Sequence, residues 1–66
     1  MSDWRERVKI ERDELNEKTQ KLSDFINHQE KFGAISKKQQ TLLQRQETAM
    51  FSYLRILDQR LRLQDE

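Results

Sequence analysis

Apolar residues recur along the first half of the chain at four- and seven-residue spacings, at Trp4, Val8, Leu15, Leu22 and Ile26, with Thr19 filling a gap. At 100° per residue they share roughly 60° of arc, a narrow seam suited to one partner helix. Ser2 and Asp3 are both good N-caps, and Glu6 follows Asp3 by three, as a reciprocal capping pair requires. Gly33 is the one residue able to turn left-handed without strain, so it is expected just past the end of this helix. Ser36 followed by Gln39 resembles a second capping box, and nothing from Lys37 to Gln64 interrupts the helix it opens. The pattern predicts a single domain over 1–66, with helices at 3–32 and 36–64 and a loop at 33–35.

One antiparallel register sets Trp4 beside Leu61, Val8 beside Leu57, Leu15 beside Met50 and Leu22 beside Leu43. Charge agrees weakly: residues 1–30 hold six basic and eight acidic groups, whereas 36–66 hold six and four. The expected fold class is all-α, an antiparallel two-helix hairpin. The second helix carries more apolar surface than the first can cover. Beside the Leu43, Met50, Leu54, Leu57 and Leu61 stripe lies another at seven-residue spacing, Leu42, Ala49, Ile56 and Leu63, with Tyr53 at its rim. Together the stripes cover about half the helix circumference, against the ~100° that a surface helix usually buries. Leu42, Ala49, Tyr53, Ile56 and Leu63 are therefore expected to form a self-interface, and the hairpin to assemble into a homo-oligomeric helical bundle.

Composition sharpens this picture. With 66 residues, one Gly, no Pro and no Cys, the chain has neither the turn signals of a sheet nor a disulfide staple, and domains this small usually need oligomerisation to complete a core. No apolar stretch is long enough for a membrane span and none resembles a signal core, so a soluble protein of the cytoplasm is expected. Thirteen basic residues against twelve acidic ones give a net charge of +1 without a basic run, which argues against DNA or RNA as partner and against a membrane surface.

Catalytic chemistry finds little support. His28 is the single histidine, on a face away from the seam, and with no Cys there is no nucleophilic dyad and no zinc set. The carboxylates lie on solvated faces, and no glycine-rich phosphate loop exists. No enzyme activity, metal or cofactor is expected. Phe51 points away from both stripes, and Phe25, Phe32 and Ile35 gather near the hairpin tip. More informative are the polar residues inside or beside the apolar arc, Glu11 and Lys18 on the first helix and Gln46, Arg60 and Gln64 on the second. Burying an ion costs several kcal/mol unless it is paired, so these residues pair with one another, keep to a wet edge or line a pocket.

The order Trp4-x-x-Arg7-Val8-x-x-Glu11-x-x-x-Leu15, then Lys21-Leu22-x-x-Phe25-Ile26, then Leu42-Leu43-x-x-Gln46-x-x-Ala49-Met50-x-x-Tyr53-Leu54-x-Ile56-Leu57-x-x-Arg60-Leu61 resembles a family of short phage helical-hairpin proteins over nearly the whole chain. Those proteins are similar to small proteins of crAss-like and tailed phages, and resemble the hairpin domain of sponges that defeat CBASS and Thoeris immunity. The resemblance implies a phage-encoded, non-enzymatic oligomer in the host cytoplasm, which withholds a cyclic dinucleotide or related nucleotide messenger in pockets where subunits meet. It also implies that Trp4 stacks on a base and that Lys18 or Lys21 meets phosphate, with Arg7 and Arg60 as further ligand candidates. The alternative is a structural adaptor whose apolar face docks a host or phage protein.

Overall fold

The computed structural model describes residues 3–63. It is all-helical, with α1 at Trp4–Ile26, α2 at Gln29–Gly33 and α3 at Lys37–Arg62. The two long helices lie side by side in a body 49 × 15 × 12 Å in extent. Four polar ties join them: Arg5 with the Leu61 and Leu63 carbonyls, Arg12 with Asp58, Glu11 with Tyr53 and Ser23 with Glu47. Arg5 near the start of α1 meets Leu61 and Leu63 at the end of α3, and Ser23 near the end of α1 meets Glu47 toward the start of α3, so the helices run antiparallel. Arg5 meets Leu61 one position from the expected Trp4–Leu61 pair.

The core is thin. Val8, Leu54 and Leu57 are its buried apolar side chains, with Leu57 only 1% exposed, and each stabilises by about 1.5–3 kcal/mol. Thr19 is the buried polar residue. Its hydroxyl donates to the Leu15 carbonyl at 2.7 Å, so no orphaned donor accompanies its burial. Leu15, Leu22, Leu43, Met50 and Leu61 extend the seam as half-buried neighbours.

The first helix stops earlier than the pattern predicts. Instead of continuing to residue 32, α1 ends at Ile26, where the Asn27 N–H donates to the Ser23 carbonyl at 3.0 Å. His28 then takes extended backbone geometry and caps α2, its Nδ1 accepting from the Lys31 N–H at 3.3 Å. Asparagine and histidine are modest helix formers with side chains that bond nearby backbone, which favours a break. Gly33 is also corrected. It is the last residue of α2 and has no positive φ. The region expected as a loop therefore contains the end of a short helix.

The two capping expectations diverge. The Ser36 hydroxyl accepts from the Gln39 N–H at 3.2 Å, opening α3. Asp3 precedes α1 but makes no side-chain cap bond. Near the connection, Phe25 and Phe32 meet edge to face with centroids 6.2 Å apart, and the Gln40 amide donates to the Phe32 and Ile35 carbonyls at 2.9 and 3.2 Å. These contacts fold the first turn of α3 back onto the connecting segment.

Candidate functional site

The open end of the helix pair, where α1 begins and α3 ends, gathers an aromatic and two cations. Trp4 enters the first turn of α1 on its apolar seam and comes to rest half-buried. The Arg5 guanidinium lies 4.8 Å from the centroid of its ring and that of Arg60 lies 5.9 Å away, both within cation–π range. Arg5 also donates to the Leu61 carbonyl at 3.0 Å and to that of Leu63. The last carbonyls of a helix lack intrahelical partners and carry partial negative charge, so this cation closes α3 as it braces Trp4.

A surface groove of about 280 Å³ opens beside this cluster, lined by Arg5, Glu6, Lys9 and Leu61. Around the corner, Arg12, Asp58, Leu61 and Arg62 line another of about 400 Å³. The Arg12–Asp58 ion pair there measures 2.9 Å, and the hydrogen bond to Asp58 holds the Arg12 guanidinium above its usual pKa range. This pair is a structural tie across the helices.

The remaining expected ligand residues lie elsewhere on the surface. Lys18 and Lys21 share a groove of about 300 Å³ with Glu14 and Glu17, and Lys21 pairs with Glu17 at 3.8 Å. Fourteen residues of helix put Lys18 about 21 Å from Trp4 along α1. Trp4 and Arg60 are therefore together, whereas Lys18 and Lys21 form a separate, charge-balanced patch within one chain. Arg7 is exposed on α1, one turn from Trp4. At 100° per residue Arg7, Glu11 and Lys18 fall on the flank of α1 facing Gln46, Tyr53 and Arg60 of α3.

The polar residues of the apolar arc resolve in part into pairs. Glu11 accepts from the Tyr53 hydroxyl, and Glu47, which the expected register places opposite Lys18, accepts from Ser23. Tyr53 thus spends its hydroxyl inside its own chain while its ring remains exposed. Leu42, Ile56 and Leu63 of the expected self-interface are 56, 53 and 48% exposed, and Ala49 is exposed as well.

Sequence reasoning did not single out Arg5. Its signal was its place in the first turn of α1, opposite the expected C-terminal turn of α3, where unpaired carbonyls attract a cation. Among the described residues no group of three or more His, Asp or Glu is placed to hold a metal, and no helix is long and apolar enough to cross a membrane. An indole braced by guanidinium groups, with further cations along one flank, suits a ligand that combines a planar ring with negative charge.

Comparison with known proteins agrees with a binding role. The family model Sequestin matches residues 2–63, nearly the full length of the chain. No curated protein and no solved structure matches it.

Proposed function

The chain belongs to the Sequestin family, and from that premise we propose that it is a non-enzymatic sponge that binds and withholds a cyclic nucleotide immune messenger. The family name itself points to sequestering of a molecule. In this reading the protein is phage-encoded, works in the host cytoplasm as a homo-oligomer, and blunts CBASS- or Thoeris-type signalling by lowering the free messenger.

The observation that carries the reading is the Trp4 ring with Arg60 at 5.9 Å. A nucleobase stacked on an aromatic gains about 1–3 kcal/mol, and a guanidinium beside it offers two donors to a phosphate. Arg7 extends the positive surface by one turn, while Lys18 and Lys21 contribute from the mid-helix patch.

Calorimetric titration with cyclic dinucleotides, cyclic trinucleotides and cyclised ADP-ribose isomers tests the proposal. Saturable heat with one of these classes, followed by recovery of the unchanged nucleotide from denatured protein, is the expected result. Absence of heat with all of them overturns the messenger reading, and recovery of a converted product overturns the non-enzymatic one.

A further inference from the structure

We infer that a second copy of this chain docks antiparallel along α3, and that the Trp4–Arg60 cluster of each copy is completed by Gln46 of the partner subunit. The seam itself follows from surface and packing, whereas the role of the completed cluster rests on the messenger-sequestering reading above.

Area supplies the first argument. The chain exposes 5601 Å², whereas a compact monomer of 8.1 kDa exposes about 4,500 Å². The excess of roughly 1,100 Å² exceeds the ~800 Å² that each partner contributes to a standard interface. Much of the exposed large apolar surface lies on α3, where Leu42 and Ile56 form a stripe turned away from the Val8–Leu57 seam, with Leu63 at the C-cap just beyond its last turn.

Shape identifies the occupant. Along the stripe the order is Leu42, Ala49, Ile56, Leu63, large at both ends with one small residue inside. Reversed against itself, this order sets Leu42 against the partner's Leu63 at each end and Ala49 against the partner's Ile56 within, so the larger Ile56 fills the space the small Ala49 leaves. A parallel copy would stack Ala49 on Ala49 and leave a void. The antiparallel pairing is self-complementary, as a two-fold interface requires.

In this register Arg60 stands level with the partner's Arg45 on the opposite flank of the seam, and has the partner's Gln46 one position along on its own flank, within reach of its guanidinium. Ser52 falls next to Ser52 of the partner subunit at the two-fold axis. The α1 helices of both copies then lie on the same side of the seam, with Tyr53 and Arg60 on the floor between them. The two Arg60 residues stand about 22 Å apart along the axis, at 1.5 Å per residue. That is two equivalent messenger sites per dimer, one per chain, each with an amide at hand to read the edge of a base.

Light scattering and cysteine cross-linking of the full chain test the inference, aided by the absence of native cysteine. A mass twice 8.1 kDa is expected at tens of micromolar, halved by Ile56→Glu with helical circular dichroism retained and unchanged by Phe51→Glu. Under mild oxidation Ser52→Cys should cross-link with itself, whereas Leu42→Cys should cross-link only when mixed with Leu63→Cys. A wild-type mass of 8.1 kDa, or self-cross-linking of Leu42→Cys alone, overturns the seam. With the seam in place, a calorimetric ratio of one messenger per chain supports the completed site and one per two chains overturns it. No heat with any messenger overturns the sequestering reading and the role given to Gln46, and leaves the seam standing.

Discussion

Thr19, fully buried between the long helices, donates its hydroxyl to the carbonyl of Leu15 at 2.7 Å. A β-branched residue of modest volume thus occupies a seam position where the neighbouring turns carry leucine. The Leu15 carbonyl keeps its place in the helical ladder without this extra bond. Thr19→Val should therefore change stability by less than about 1 kcal/mol, because the bond it removes leaves no orphaned group. Thr19→Leu adds volume where none is exposed and should destabilise by about 1–3 kcal/mol. Urea denaturation followed by circular dichroism measures both, and equal midpoints for the two variants would contradict the tight packing at this site.

Leu57 is the most buried apolar side chain, and few others share its burden. Leu57→Ala should cost about 2–5 kcal/mol, enough to unfold a large share of so small a protein at room temperature. Phe51→Ala, on the outer face, should stay within about 0.5 kcal/mol. Thermal melts of the two variants beside the wild type make the comparison.

Gly33 ends α2 in ordinary helical geometry, and a methyl group built there meets nothing within 4 Å. Gly33→Ala should raise stability by about 0.4–1 kcal/mol, because the substitution narrows the unfolded ensemble without straining the fold. A loss of stability would place Gly33 back in the left-handed region that the sequence pattern suggests.

The Arg12–Asp58 pair is partly solvated, so its contribution should be small and should shrink with added salt. The Arg12 pKa is raised chiefly by its hydrogen bond to Asp58. A raised pKa contributes stability that is fully present below the ordinary arginine range and is lost only as pH rises through the still higher folded value. A double-mutant cycle with Arg12→Ala and Asp58→Ala should therefore give the same coupling at pH 7 and pH 10.

At the open end, Trp4→Ala should weaken messenger binding by roughly 5- to 150-fold, the equivalent of about 1–3 kcal/mol. Phe51→Ala should leave the affinity unchanged. Lys21 already faces Glu17 at 3.8 Å, so Lys21→Ala should have the smaller effect of the two ligand-site variants. Calorimetry of each variant, with its melting temperature recorded alongside, separates loss of ligand contact from loss of fold.

Much of the architecture was legible because it follows from period and spacing. Val8, Leu54 and Leu57 announce their burial through helical recurrence, and Ser36 announces the start of α3 through its cap. The break at Asn27 and His28 was hidden because both residues are tolerated inside helices, and only local backbone bonding decides against continuation there. The Arg5 clasp depends on where two distant helix ends meet, which no local pattern encodes. Glu11 was legible as a polar residue inside an apolar arc, but its partner Tyr53 was not, because pairing across helices turns on a fraction of a turn in register.

The short α2 contributes no buried side chain, whereas the opposite pole is fastened through Arg5 to the final carbonyls of α3. Such a molecule is stiff at one end and soft at the other. Backbone amides of Gln29–Gly33 should trade their protons for deuterium through small local openings, long before those around Val8 and Leu57, which wait for the whole chain to come apart. Heating would loosen the bend first and surrender the indole pole last, so capture could persist in a partly melted particle.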